Sequence, residues 1–432
     1  MKLNMLVCLF LALISLTMEA QEPFNRKKAI KDVKAQLKAE KYQQAEDLLN
    51  KTMTANNPEA ANDAEFHYLR LQALRGLATA ENRNMFLNTR PDTAKYFTYI
   101  YRIYEYGFSC DSLDRLPDAK GRVRPSYTSY IVNMLSFYRN NIKSAGKYYY
   151  KKNKFDDAYR FFHLYLTTLH HPLVTAAKDY KEDEDTLSLA NLAVFSAYNA
   201  ANYKNVVKYL PTAMKDSTDY ALLCQIGSRS CMELKDTLGA VSYLHKGWKT
   251  DVTQEFFYIN LIDYHVERQE YVQAIEIIDK QLTIEPEKRL LWFLKGKFEQ
   301  CIDSVDIAVD CYQKAIEIQP EDAMSYSSLG GIFIEKAHEV HDINNYRLGS
   351  RAFTRVKNQQ DAIYKQAQGY LENARKYAPD NPTLWYEGLM EVYFKLNLGK
   401  ELQELEKTPS TPAASQPKEN VKKQDDEKKN KR

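Results

Sequence analysis

The chain has 432 residues, 44% hydrophobic and 27% charged, a balance that excludes a wholly disordered protein. Its 14 Gly and 14 Pro are too few for a collagen-like or hairpin-dense β protein, which leaves a helical chain as the expectation. The 60 Lys and Arg against 57 Asp and Glu leave a formal charge of +3, no whole-molecule field for nucleic acid.

Residues 1–20 read as a signal peptide: Lys2, an apolar stretch from Met5 to Leu16, then Ala20 as a small residue before Gln21. The stretch is shorter than the ~20 residues a spanning helix needs, and no later segment stays uncharged that long. Cleavage after Ala20 predicts an exported chain without a transmembrane span. Met18, unusual three residues before a cut, leaves a retained amino-terminal anchor as the alternative. Cys8 lies inside the apolar stretch, where lipidation would leave almost no signal before it. The other cysteines, Cys110, Cys224, Cys231, Cys301 and Cys311, are odd in number and widely spread, so buried small residues are expected rather than disulfides or metal ligands. A short start without a disulfide framework points to the periplasm or cell envelope of a bacterium.

Residues 21–138 read as divergent helical repeats: Tyr42 to Leu49 with Ala45 suits a second helix, and Phe66 to Leu77 begins another pair. Five tyrosines follow at 96, 99, 101, 104 and 106, then an irregular segment from Gly107 to Tyr127. Residues 139–220 read as degenerate repeats, with Gly146, Tyr149, Ala158 and Phe162 in register and an insertion at 171–186. Val206 and Pro211 weaken the next unit, because proline within a helix removes a hydrogen bond and clashes with the preceding turn. Residues 221–406 are the regular part. Ala240, Ala274 and Ala308 fall 34 residues apart, as do Pro286 and Pro320, and Tyr258 and Trp292.

Tyr326, Leu329, Gly330 and Phe333 open a further unit whose second helix, with Ala367, Leu371, Ala374 and Pro379, arrives about 25 residues late by the same repeat arithmetic. An insertion at 338–362 accounts for the delay. Trp385 and Gly388 mark another first helix, with 396–405 as its partner or a cap. Residues 407–432 are charged and poor in apolar residues, a disordered tail read as a solubilising end, with weak contact of its lysines to an anionic membrane surface as the alternative.

The pattern Trp292, Gly296, Ala308, Tyr312, Ala315, Pro320 closely resembles the tetratricopeptide repeat, strongly across 221–379 and more loosely elsewhere. The resemblance implies an all-α fold, an α-solenoid of stacked antiparallel helix pairs with irregular insertions. Small residues such as Gly296 and Ala308 let two helix backbones approach, while Trp292 and Tyr312 fill the space beside them. An ordinary bundle would explain amphipathic helices but not a repeat length of 34.

In that family the first helices line a concave surface, which puts Asn191, Phe195, Gln225, Arg229, Ile259, Asp263, Phe293 and Lys297 on the inner face. The implied function is an exported scaffold that holds a protein or peptide segment in the cell envelope. Phe195 and Phe293 would anchor it, and Arg229, Asp263 and Lys297 would fix its polarity. The family's Lys and Asn clamp for a terminal dicarboxylate is missing. The alternative is glycan or nutrient capture by the tyrosine-rich amino-terminal half. It resembles outer-membrane glycan-binding lipoproteins with tetratricopeptide helices, but Gln21 stands where those carry a lipidated cysteine.

No motif predicts catalysis, a metal or a cofactor. His338, Glu339 and His341 read HEVH, one residue short of the zinc-binding HExxH spacing, with no third ligand evident. His170 and His171 adjoin and point apart, an arrangement suited to ending a helix. Neither a glycine-rich phosphate loop nor a GxSxG nucleophile turn occurs. With 32 tyrosines, some exposed phenols are expected, especially in the first cluster, whose rings cannot all share one stripe.

Overall fold

The computed structural model of the protein describes residues 24–178, 180, 185–215, 218–340 and 343–408. The expected signal peptide and nearly all of the expected tail lie outside them. Among the described residues every regular element is helical, and none of the helices is long and apolar enough to cross a membrane. The chain divides into two compact units, residues 1–236 and 237–432. The boundary falls inside the regular part read at 221–406.

The first unit contains α1 (Arg26–Lys38), α2 (Tyr42–Thr52), the single turn α3 (Pro58–Ala61), α4 (Ala64–Leu87), α5 (Thr93–Asp114), α6 (Thr128–Lys151), α7 (Phe155–Thr167), the single turn α8 (Pro172–Thr175), α9 (Thr186–Asn199), α10 (Tyr203–Ala213) and α11 (Tyr220–Glu233). Its hairpins are α1–α2, α4–α5, α6–α7 and α9–α10, and each second helix packs on the first helix of the next pair. The second unit contains α12 (Thr237–Thr250), α13 (Glu255–Glu267), α14 (Tyr271–Leu282), α15 (Arg289–Cys301), α16 (Val305–Ile318), α17 (Ala323–Glu339), α18 (Arg351–Tyr377), α19 (Tyr386–Lys395) and α20 (Gly399–Glu406). Here α13–α14, α15–α16, α17–α18 and α19–α20 pair and stack in the same way. Each unit is thus an α-solenoid segment in which no helix buries its stripe without neighbours.

Close backbone approach fixes the spacing within hairpins. A Cβ on Gly296 would lie 2.9 Å from the Tyr312 ring, and one on Gly146 would lie 2.5 Å from the Phe162 ring. Both pairs are 16 residues apart. Gly330 meets Leu371 in the same way at 2.5 Å, 41 residues on, so the same contact carries the 25-residue delay. Trp292 is only half-buried, its indole N–H donating to the Pro286 carbonyl at 2.7 Å. It caps the turn between repeats and also packs at the edge of the hairpin core that Tyr312, Ala308 and Phe293 build.

The turns show a regularity that the sequence hides. Ala201, Lys235, Gln269 and Asp303, 34 residues apart, all adopt left-handed backbone with φ between 54° and 65°. After each, the next N–H returns to a carbonyl five residues earlier, as in Glu270 to His265 at 2.8 Å and Ser304 to Glu299 at 2.9 Å. The left-handed residue itself bonds three back, as in Gln269 to Val266 at 2.9 Å. This is the Schellman cap, usually closed by glycine and here closed by residues with a Cβ.

The three irregular segments are more ordered than expected. Gly107 to Asp114 continues α5, and the Asp114 carboxylate ties the following loop by accepting from the Ser126 and Tyr127 amides at 2.6 and 2.8 Å. The insertion at 338–362 is mostly helix: α18 starts at Arg351, its Ser350 cap accepting from the Phe353 amide, and runs 27 residues. Within 171–186, α8 forms one turn. The 396–405 segment supplies α20, whose Leu405 is buried beside Leu389 and Tyr393, so it is the partner of α19. Pro211 sits in the last turn of α10, which stops two residues later.

Two substitutions test this packing in opposite directions. A Cβ on Gly247 would meet the Phe257 ring at 2.1 Å, so Gly247→Ala should lower the urea midpoint by roughly 1–3 kcal/mol of overpacking. Gln269→Gly should raise it by about 1 kcal/mol by relieving the left-handed residue. Equal midpoints for wild type and Gly247→Ala would contradict the helix contact.

Candidate functional site

A repeat solenoid offers partners the exposed stripe of its first helices, so the eight expected groove residues are placed unit by unit. In the first unit, Asn191 on α9 is buried, Phe195 and Gln225 are half-buried, and Arg229 on α11 is exposed. In the second, Ile259 is half-buried, Asp263 and Lys297 are exposed, and Phe293 is buried. Phe293 lies 5.7 Å from the Tyr312 ring in a core cluster with Ala308 and Leu329. It cannot anchor a partner without unpacking its repeat. On α15 the exposed stripe runs instead through Leu290 and Lys297, seven residues apart and therefore on one face.

The first unit also holds a cavity that the sequence reading passed over. It has a volume of about 920 Å³ and is walled by the first helices α1, α4 and α6 and the start of α2. Arg75, Thr79 and Arg83 recur every four residues along α4 and share one face. Gln72 and Asn84 flank them. Tyr42 and Tyr130 close the sides, the Tyr42 ring lying where a Cβ on Gly76 would be at 2.3 Å. The Tyr130 phenol has a raised pKa, chiefly through burial, with the Arg75 guanidinium opposing the rise.

Charges along α4 divide sharply. Arg70, one turn before the cavity, is buried, with its Nε 3.4 Å from the Glu46 carboxylate and further donations to Asn50 and the Tyr106 phenol. Arg102 on α5 pairs with the same carboxylate. Arg75 and Arg83 are exposed, and no described carboxylate forms an ion pair with either guanidinium. The sequence reading missed this wall because it followed the helix only to Leu77. Arg75, Thr79 and Arg83 at four-residue spacing before Asn88, a left-handed cap, were the available signal.

The tyrosine cluster on α5 is packed between helices, two of its rings buried and three partly exposed. Tyr96 and Tyr104 are buried, the Tyr104 phenol donating to the Leu135 carbonyl at 2.7 Å. Tyr99, Tyr101 and Tyr106 are half-buried. Arg160 lies 3.7 Å over the Tyr101 ring, and Arg70 4.6 Å over Tyr106. These rings pack under guanidinium planes and present no open platform for a sugar.

The other chemical candidates are structural. His338 pairs with Glu391, and His341 lies outside the described residues. His171 opens α8, its Nδ1 accepting from the Leu173 amide at 3.2 Å, where a helix end was expected. Its ring packs 4.5 Å from Phe108. None of the five described cysteines forms a disulfide, and burial raises the thiol pKa of Cys110 to about 12 and of Cys231 and Cys311 to about 11. Among the described residues no group of three or more His, Cys, Asp or Glu is placed to hold a metal.

The chain matches no protein-family model and no curated protein sequence. Solved structures similar to it include the C-terminal part of a TPR repeat-containing protein from Cytophaga hutchinsonii, 15% identical, covering 61% of this chain and 95% of that one, with a TM-score of 0.36. A TPR repeats protein from Bacteroides fragilis is 16% identical, covering 61% of this chain and 97% of that one, with a TM-score of 0.27. MamA from Desulfovibrio magneticus RS-1 is 13% identical over 44% of this chain and 97% of its own, with a TM-score of 0.31. The class of this chain, an all-α helical-hairpin solenoid, stands on the stacking and turns described above.

Two histidines with pKa values lowered by burial, His67 and His163, give the first unit a pH dependence. His163 on α7 meets the Tyr209 phenol of α10 at 2.6 Å and stacks on Tyr159 at 5.4 Å. Burial, then Lys208, lowers its pKa below 6.5. The unfolded chain therefore takes up this proton first, and stability falls as pH drops below about 6.5. His163→Gln should reduce the slope of the urea midpoint between about pH 7 and about pH 5.5, leaving the share that His67 contributes. An unchanged slope would show that His163 does not titrate differently on folding.

Proposed function

We propose that the protein is a non-catalytic scaffold that holds a protein segment against its first helices, exported to the cell envelope of a bacterium. The observation that carries the binding part is the cavity between α1, α4 and α6, where an arginine pair stands without carboxylate partners among the described residues. Phe195, Gln225 and Arg229 in the first unit, and Ile259, Asp263 and Lys297 in the second, serve as further docking positions within their units. Export rests on the charged, apolar and small-residue order of residues 1–20 alone.

A photoreactive residue tests face and location together. Placed at Arg83 or Lys297, it should cross-link a discrete envelope protein in intact cells. Placed at Leu238 or Val272, exposed on second helices, it should not. Equal adducts from both sets would remove the first-helix assignment, and recovery of the full-length protein in the cytosol would remove export.

A further inference from the structure

We infer that the α1–α4–α6 cavity takes an extended, internal acidic segment of the partner protein, with carboxylates four residues apart. This rests on the scaffold reading and adds the chemistry of its ligand. Arg75 and Arg83 are eight residues apart on one helix, hence about 12 Å along its axis. Four residues of extended chain span about 13 Å and return the side chain to the same face. Two acidic side chains at i and i+4 of a strand-like segment therefore match the two guanidiniums, each of which offers a fork suited to a carboxylate.

The neighbours fit a polypeptide better than a phosphate surface. Gln72 and Asn84 lie on α4 just beyond each arginine, and side-chain amides both donate to and accept from a peptide backbone. Tyr42 and Tyr130 bound the cavity laterally. The carboxylate that lines it, Glu40, belongs to the turn after α1. It repels an acidic ligand. A helical ligand would need acidic residues about eight apart by the same axial rise. A flat lipid surface has no reason to require any spacing.

The probe is a fluorescein-labelled peptide, Gly-Ser-Glu-Ser-Gly-Ser-Glu-Ser-Gly, titrated with the full chain and read by anisotropy. Replacing both glutamates by glutamine should weaken binding about tenfold, the effect of two exposed charge pairs, and making the glutamates adjacent should weaken it several-fold. Arg75→Gln with Arg83→Gln should produce the same loss with an unchanged circular-dichroism melt, because both side chains are exposed. Glu40→Gln should tighten binding a few-fold, a gain that damaged folding cannot imitate. Equal affinity for the glutamate and glutamine peptides overturns the inference. So does arginine-dependent binding to phosphatidylglycerol vesicles without any peptide preference. If the peptide fails while cross-linking from Lys297 persists, this inference falls and the scaffold reading stands.

Discussion

The structure depends on one constraint: a helix of this chain has an apolar stripe too wide to leave in water and too narrow to make a core by itself. Two helices solve half of the problem by approaching closely enough for Tyr312 to lie against Gly296 or Phe162 against Gly146. The remaining apolar surface is covered only when the next pair stacks on it, as α14 does on α15 and α16 on α17. Contacts are therefore local along the chain, and each repeat contributes a term of its own plus one with each neighbour.

The turns are the second half of that constraint. A hairpin whose helices are this close needs a short reversal, and the Schellman cap provides it with two backbone hydrogen bonds. Ala201, Lys235, Gln269 and Asp303 hold the left-handed position without glycine. Each pays a local conformational cost that stacking offsets. That cost recurs with the period of the array, so it is part of the repeat and not an isolated defect.

Much of this was legible in the sequence, and the losses have physical reasons. The period of 34 is visible because Ala308 and Tyr312 must have those sizes where two backbones touch. The caps are invisible because a backbone φ leaves no mark when the residue is Lys or Gln. The insertion at 338–362 looked like a loop because a helix lengthened at its start adds residues without an aromatic-small signature, yet α18 simply begins earlier. Phe293 was placed in a groove because helix phase alone cannot separate a residue on the exposed stripe from one a step inward. On α15, burial against Tyr312 decides it. Some α5 phenols were expected in solvent and three are partly exposed, but the sequence does not show that Arg70 lies over Tyr106 and Arg160 over Tyr101.

The same contrast separates structural arginines from those available for binding. Arg70 and Arg75 are five residues apart on one helix, yet their surroundings oppose each other. Arg70 is buried, and removing Glu46 would strand a charge in low dielectric, a large penalty that makes the pair part of the fold. Arg75 and Arg83 lie where water screens them, so holding them there costs little, and a carboxylate brought by a partner gains a modest amount from each. Such weak, additive terms suit a scaffold that grips an extended segment along its length. Specificity then comes from the spacing of the charges on α4, which its helical rise sets.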